Sequence, residues 1–202
     1  MSDIIPLQLV KSEQRTANTR DRIITATVDL ITEEGFGAAS RRRIAERVGV
    51  SWGVVQQLFG SQQDMLEIIL ESSEAQFDRL MDTKELRQGS LSERVKMYIA
   101  LSWRHYISDV ALACMEILIA TRSRSMESRY MRTGAHLQRM REIFPEAAHL
   151  TDREFLDVLS TTDCSLIGLA VQAVRHPGIR NLGGYQRRFS HVLETMLLEP
   201  GQ

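Results

Sequence analysis

The sequence predicts an all-α fold, and three observations support this prediction. Proline and glycine are scarce, at 4 and 12 of 202 residues, and no Asn-Gly or Asp-Gly pair joins two alternating apolar runs as a β-hairpin would require. Apolar residues recur at three- and four-residue spacing along most of the chain, which is the period of a helix. Hydrophobic residues make up 43% of the chain and charged residues 25%, so the helices can bury a core and disorder is excluded.

Four helices are predicted in the N-terminal part, after a flexible arm at 1–17. The first helix covers 19–34 and ends before Gly35, since glycine suits the left-handed position after a helix. Two short helices follow at 41–48 and 52–59, each preceded by a serine that can act as an N-cap. A longer helix begins after Ser61, which forms a potential capping box with Asp64, and continues through Leu80.

The polar segment 82–90 is the candidate boundary, and we place one domain at 18–78 and a second at 79–202. Thr151 and Glu154 form another potential capping box, and prolines separate the later helices. The second domain adds five predicted helices to the first four, at 91–108, 110–124, 126–144, 152–176 and 184–197.

Composition and motifs exclude several classes of protein. The 25 Lys and Arg residues balance 26 Asp and Glu, which excludes a globally basic surface but not a local basic patch. Two cysteines cannot supply a disulfide framework or a four-thiolate zinc site, and the five histidines lack ligand spacing, so we expect no metal and no cofactor. No nucleophile-and-base constellation or phosphate loop indicates an enzyme. The longest apolar run, 111–120, is too short to cross a membrane and no signal peptide is visible, so we expect a cytoplasmic protein without a membrane partner.

The segment 40–59 carries the clearest functional pattern. Two helices of about two turns each, joined by a three- or four-residue turn, are typical of a helix-turn-helix unit. Ala45 is small where the helices cross, and Gly49 provides the backbone freedom that the turn requires. The shared apolar seam consists of Ile44, Val48, Val50, Val55 and Leu58.

A wider set of residues extends this pattern on both sides of the segment: Thr19-Arg20, Glu34-Gly35-Phe36, Ile44-Ala45, Gly49-Val50-Ser51 and Phe59 followed by Ser61. With them, residues 19–66 resemble the DNA-binding domain of the TetR family of bacterial transcriptional repressors. This resemblance implies a homodimer that binds a palindromic operator in double-stranded DNA and releases it when a small-molecule effector enters the C-terminal domain. The sequence departs from the family pattern at Trp52, Gln56, Gln57 and Gln62.

The chemistry of the same segment suits DNA. Between residues 39 and 60, four arginines face one glutamate, a local charge of +3. Arginine pairs with guanine and glutamine with adenine in the major groove, which the second helix of such a unit enters. Packing remains the alternative for Trp52, and a solvated polar face remains the alternative for the two glutamines. The candidate DNA contacts are Ser40, Arg41, Arg42, Ser51, Trp52, Gly53, Gln56 and Gln57.

The C-terminal helices suggest a ligand pocket and a dimer interface. Aromatic and methionine side chains near polar interruptions suggest an apolar pocket with orienting groups. Core packing is the alternative for each of the apolar residues, and a polar patch at an interhelical or dimer face is the alternative for Thr162 and Asp163. The candidate ligand contacts are Trp103, Tyr106, Met115, Tyr130, Thr162 and Asp163. The last two helices carry more apolar surface than one domain can cover, which favours a twofold partner. The candidate interface residues are Leu166, Leu169, Ala170, Ala173, Phe189 and Leu193.

Two hypotheses follow from these patterns. The first is a ligand-responsive, sequence-specific repressor that binds its operator as a homodimer and is released by a largely apolar effector. The alternative is an all-helical ligand- or partner-binding module without DNA-binding activity, which the glutamines at positions 56, 57 and 62 motivate.

Overall fold

The computed structural model describes residues 7–122, 134–176 and 183–199. Within these ranges all regular structure is helical, which confirms the predicted all-α fold. Short 3-10 helices lie at Phe36–Ala38, Lys84–Arg87 and Pro145–His149. The α-helices are α1 (Leu7–Glu34), α2 (Arg41–Val48), α3 (Trp52–Phe59), α4 (Gln62–Met81), α5 (Leu91–Tyr106), α6 (Asp109–Thr121), α7 (Gly134–Ile143), α8 (Asp152–Arg175) and α9 (Gly183–Leu198).

The predicted helices agree with these bounds except at the N-terminus. The bounds of α2 and α3 match the prediction at both ends, and those of α4, α5, α6, α8 and α9 lie close to it. The prediction of a flexible arm at 1–17 is wrong from Leu7 onward, because α1 begins at that residue. Residues 7–17 are mostly good helix formers without glycine or proline, so the helix continues through them. The predicted helical residues 126–133 lie outside the described ranges.

Capping boxes start three of the helices. At the start of α4, the Asp64 amide donates to Ser61 Oγ at 3.1 Å and the Ser61 amide donates to the Asp64 carboxylate at 2.7 Å. Thr151 and Glu154 form the same reciprocal pair before α8, as predicted. Ser90 and Glu93 form a further box before α5 that we did not predict. Bonds from the capping residue lower the pKa of each of the three carboxyls.

The chain divides into two compact units whose boundary differs from the predicted one. The first unit is Met1–Ser72 with Ala113–Thr121, and the second is Ser73–Leu112 with Arg122–Gln202. The predicted boundary at 78/79 is therefore wrong, because α4 passes from one unit to the other without a break. The polar segment 82–90 belongs to the second unit, where it forms a 3-10 helix and buries Leu86 completely.

The last nine residues of α6 are part of the first unit through specific contacts. The Phe36 amide donates to the Glu116 carboxylate at 2.9 Å. The Cys114 thiol donates to the Ile69 carbonyl oxygen at 3.8 Å, a weak bond to α4. These contacts, together with the buried side chain of Ile117, explain why a segment distant in sequence belongs to the N-terminal unit.

The second unit is built around α5, which packs against α8 and α9. The fully buried ring of Tyr98 meets Phe144 edge-on, with centroids 5.5 Å apart. The Tyr98 hydroxyl donates to the buried Asp163 carboxylate at 2.9 Å. This bond explains how the polar interruption of α8 at Asp163 is accommodated inside the unit.

Candidate nucleic-acid interface

The turn between α2 and α3 depends on Gly49. Its backbone is left-handed, with φ 76° and ψ 36°, where a Cβ atom would introduce strain. The Gly49 amide donates to the carbonyl oxygens of Ala45 and Glu46 at 3.0 and 3.2 Å, which closes the end of α2. The side chains of Ile44, Val48 and Val55 are buried as predicted, so the pair forms a helix-turn-helix unit.

Two arginines of α1 hold the carboxyl ends of the short helices. Arg20 donates to the Leu58 carbonyl oxygen at 2.9 Å and lies over the Phe59 ring, 4.7 Å from its centroid. Arg22 donates to the Val48 carbonyl oxygen at 2.7 Å. Both guanidinium groups satisfy carbonyls that a helix end leaves unpaired. Sequence reasoning did not assign Arg22 a role, because this contact exists only once α1 packs on α2.

One face of α3 is turned to solvent. Gly53, Gln56 and Gln57 have the spacing of neighbours on a helix surface, and all three are exposed. Trp52 is half-buried, whereas Ser51 before it is exposed. We call this set, together with Arg41 and Arg42, the α2–α3 face. The packing of the fold does not require glycine at position 53, since an added Cβ would meet only Ser51 Oγ at an ordinary 3.6 Å.

Salt bridges reduce the basic charge that the sequence predicts for this segment. Arg43 donates to the Glu34 carboxylate at 2.8 Å, and Arg47 donates to Glu33 at 2.8 Å. The bond from Arg43 lowers the pKa of Glu34. The local charge of +3 is therefore largely compensated by α1. Arg42 differs, because its side chain is 82% exposed and meets Glu46 only at 3.7 Å.

Arg41 is held beside the α3 helix by two neighbours. Its guanidinium lies 5.7 Å from the centroid of the Trp52 ring, within cation–π range. Its Nε donates to the Gln62 side-chain oxygen at 3.4 Å, which is a weak bond. The Gln62 amide nitrogen in turn donates to the Ala39 carbonyl oxygen at 3.1 Å. Gln62 thus connects the start of α4 to the start of α2, a role that its sequence position did not reveal.

The two predicted serine caps are only partly correct. Ser40 and Ser51 occupy the N-cap positions of α2 and α3 with extended backbone. Neither side chain bonds to its helix, so the prediction that these hydroxyls cap is wrong. Both residues are exposed, and the first turn of α3 holds no acidic residue. Such a helix start is suited to a phosphate group.

The candidate ligand contacts do not all lie in one unit. Trp103, Tyr106 and Asp163 are buried in the second unit, as is Thr162, whose hydroxyl donates to the Val158 carbonyl oxygen of its own helix. Met115 belongs to the first unit, and its grouping with the others stays a prediction. Its position follows from the contacts of α6 described above. Tyr130 lies outside the described residues.

Most of the candidate dimer residues are inside the protomer. Leu166, Ala170, Ala173 and Leu193 are buried, and Leu169 and Phe189 are half-buried. The four buried residues cannot offer a surface to a partner, so their assignment is wrong. The apolar pattern identified the right helices but not which stripe faces inward. The exposed apolar residues of these helices are Val171 (46%), Val174 (55%), Tyr185 (41%), Val192 (50%) and Leu198 (56%).

A family model described as "Bacterial regulatory proteins, tetR family" matches residues 23–69, which contain all of α2 and α3. Residues 23–69 thus carry a TetR-family domain, which is the part of the chain that the family model covers. The chain is similar to the HTH-type transcriptional regulator BetI of Klebsiella pneumoniae (strain 342), with 28% identity over 109 residues. The match covers 53% of this chain and 55% of BetI, so the chain spans about half the length of that curated relative.

Solved structures show the same fold. A transcriptional regulator from Rhodococcus sp. Rha1 has a TM-score of 0.58 at 20% identity and covers 88% of this chain and 93% of its own. The fatty acid degradation regulator FadR from Bacillus halodurans has a TM-score of 0.61 at 19% identity and covers 89% and 94%. At these identities the similarity establishes the fold alone. In the ranges that the structure describes, no helix is long and apolar enough to cross a membrane.

Proposed function

We propose that this TetR-family regulator is a repressor that binds a palindromic operator as a homodimer and releases it when a small molecule binds the second unit. The DNA-binding part of this proposal is supported chiefly by the α2–α3 face. It combines the exposed row Gly53, Gln56 and Gln57 with two exposed arginines. Arg41 bonds weakly to the Gln62 side chain, and Arg42 meets Glu46 only at 3.7 Å.

The residues of the α2–α3 face have distinct proposed roles on DNA. The start of α3 enters the major groove, as helix-turn-helix geometry requires. Gln56 and Gln57 offer side-chain amides that pair with adenine, and Arg42 reaches a guanine edge. Arg41, held over Trp52, contacts the phosphate backbone together with the hydroxyl and amide of Ser51. Gly53 leaves space for close approach to the groove wall.

The homodimer is supported by unpartnered apolar surface on the last two helices. Val171 and Val174 are exposed on α8, and Val192 and Leu198 are exposed on α9. Large exposed apolar patches are rare on monomers, so this surface favours a second copy of the chain. A twofold dimer places two α3 helices on a pseudo-palindromic site and adds avidity to each half-site contact.

The proposed release mechanism is a two-state equilibrium. Helices α4 and α6 each contribute residues to both units, so a ligand that favours one arrangement of the second unit also acts on helices of the first. The second unit is rich in buried aromatic side chains, which supports a largely apolar effector. The structural neighbour FadR is a fatty acid degradation regulator, which is consistent with that class of ligand.

Selection of duplexes from a random-sequence pool tests this function. We expect the bound sequences to share two inverted half-sites with centres about one helical turn of DNA, or a multiple of it, apart. Affinity for the selected duplex should fall steeply as salt increases, because arginines release counterions from phosphates. Enrichment of no sequence would contradict the proposal and would favour the all-helical module without DNA-binding activity.

A further inference from the structure

One face of α5 carries three polar side chains into the interior of the second unit. Tyr98, Ser102 and His105 are spaced four and three residues apart, which places them on the same side of the helix. All three are buried. The Tyr98 hydroxyl bonds to Asp163, whereas Ser102 Oγ and His105 Nδ1 have no hydrogen-bond partner among the described residues.

Aromatic rings surround the histidine end of this face. The His105 ring lies 5.0 Å from Phe77 and 5.4 Å from Tyr106, measured between centroids. Phe77 also stacks with Tyr106 at 5.8 Å and with His136 at 6.4 Å. This burial lowers the pKa of His105 to about 4, so the imidazole is neutral at physiological pH. Its Nδ1 is a donor in one tautomer and an acceptor in the other.

Two unpartnered polar side chains one helical turn apart require an explanation. Buried polar groups in folded proteins are almost always hydrogen-bonded, since leaving them unpaired destabilises the fold. The Thr83 and Ser190 hydroxyls and Arg94 Nε in this unit also lack a partner, but Arg94 has other polar contacts through its guanidinium group. Arg139 Nη1 lies 2.9 Å from the Asp78 carboxylate. Ser102 and His105 instead stand one turn apart on one helix, beside a cluster of rings.

We infer that Ser102, His105 and the surrounding rings form a subsite for an uncharged aromatic molecule that carries a hydroxyl group. A hydroxyl both donates and accepts, so it satisfies Ser102 Oγ together with either tautomer of His105. The rings offer stacking and edge contacts to an aromatic body. The buried Asp163 carboxylate, bonded to Tyr98 on the same face of α5, disfavours an anionic ligand.

This subsite rests on the proposed effector-dependent function, and it assigns that effector a chemical class. It also predicts an unusual effect of substitutions on the stability of the free protein. If the two atoms are kept unpaired in order to bind a ligand, replacing them with apolar groups should not destabilise the free protein but should weaken ligand binding. A purely structural role for the same side chains predicts the opposite.

Calorimetric titration of the full-length wild type without DNA tests the ligand class, with 2-naphthol as the probe and naphthalene and 2-naphthoate as matched controls. We expect 2-naphthol to bind with a Kd below about 100 µM and each control to bind at least about tenfold more weakly. Equal affinity for naphthalene overturns the hydrogen-bonding role. Tighter binding of 2-naphthoate overturns the uncharged class. Absence of 2-naphthol binding up to about 1 mM overturns the subsite.

Ser102→Ala and His105→Phe test the two residues. Each variant should retain or raise the wild-type Tm and lower the affinity for 2-naphthol by about tenfold, with little change for naphthalene. Thr83→Val is the control, because Thr83 also has an unpartnered buried hydroxyl but lies in the connection between α4 and α5. Its 2-naphthol affinity should equal that of the wild type. A substantial loss of Tm, or failure to fold, in either α5 variant shows that the side chain is structurally required and overturns the inference, as does unchanged 2-naphthol affinity.

A parallel measurement on the selected operator separates this inference from the proposed function. If 2-naphthol binds the wild type through Ser102 and His105 and also releases the operator, both are supported. If it binds through these residues without releasing the operator, the subsite is supported and 2-naphthol-dependent release is contradicted. If no operator can be selected, the DNA-binding proposal fails, and the titration without DNA still decides the subsite.

Discussion

The polar side chains of the two units are in opposite situations. In the first unit, Arg20 and Arg22 meet carbonyl oxygens, and Arg43 and Arg47 meet carboxylates. The groups suited to DNA lie on the surface. In the second unit, Ser102 and His105 are buried without hydrogen-bond partners among the described residues. The comparison indicates that the first unit presents a preformed exposed face, whereas the second keeps unsatisfied groups inside, where a small molecule would meet them.

The largest expected effect concerns the exposed apolar surface of α8 and α9, which is the proposed dimer interface. Val192→Arg, at an exposed position of α9, should leave the protomer folded but prevent dimerisation. Operator affinity should then fall by about 100-fold or more, because the avidity of two half-sites is lost. Sedimentation and operator binding check this prediction. Ala100→Arg, exposed on α5, is the control and should remain dimeric. A dimeric Val192→Arg protein with wild-type affinity would exclude this surface as the interface.

The interior of the second unit should produce a pH dependence. His105 has a pKa of about 4 in the folded protein against an ordinary 6.5 when unfolded. Below pH 6.5 the unfolded chain therefore takes up a proton that the folded chain resists. The unfolding free energy should fall by about 3 kcal/mol between neutral pH and pH 4, with no contribution from this residue above neutrality.

His105→Phe isolates that contribution. The lowered pKa values of Asp64, Glu93 and Glu154 also reduce stability in acid, but they are common to both proteins. The pairing of His136 with Asp78 is likewise unchanged. Denaturant unfolding from pH 4 to pH 8 gives the unfolding free energy of each protein as a function of pH. The two curves should run parallel or coincide above neutrality and separate below pH 6.5, where only the wild type loses stability through His105. Parallel curves over the whole range would contradict the burial argument.

The first unit should show a contrast between adjacent arginines. Arg42→Ala should cost about 1–3 kcal/mol of operator binding and relax specificity at one base pair. Arg43→Ala is the matched control, because its charge is already paired with Glu34. Its operator affinity should change by less than about threefold. Competition binding against single-base variants of the selected duplex measures both effects. Equal losses for the two arginines would mean that the salt bridges to α1 do not separate their roles.

A smaller effect is expected at the start of α4. Gln62→Ala removes the bonds to Ala39 and Arg41 and should lower operator affinity by about 0.5–1.5 kcal/mol across all sequences. Gln63→Ala, which loses only an exposed bond to Glu67, should have no effect. Fluorescence anisotropy on the selected duplex distinguishes them. Unchanged affinity in the Gln62 variant would show that Arg41 needs no positioning.

Features that depend on neighbouring residues could be predicted from the sequence, whereas contacts between distant segments could not. The sequence signals for helices, for the caps at Ser61 and Thr151 and for the turn at Gly49 depend only on neighbouring residues. The predicted bounds of α2 and α3 therefore match the observed ones at both ends. The face of α3 followed from spacing alone. Contacts between distant segments were missed, including Glu116 with Phe36 and Gln62 with Ala39.

The prediction of the dimer-interface residues was wrong for a related reason. Both stripes of α8 and α9 are apolar, so periodicity could not decide which one faces the protomer's own core, and Leu193 proved to be fully buried while Val192 is half exposed. The unpartnered state of Ser102 and His105 likewise depends on which helices surround α5. No pattern along one helix contains that information.

The most direct test of the central claim is the affinity of the wild type for two duplexes at one salt concentration, near 0.1 M. One duplex carries the selected palindrome, and the other has both half-sites scrambled at constant composition. If the α2–α3 face reads bases in a symmetric dimer, anisotropy should show a preference of about 1,000-fold or more for the palindrome. Equal affinities would contradict the claim, because binding would then rest on phosphate contacts alone.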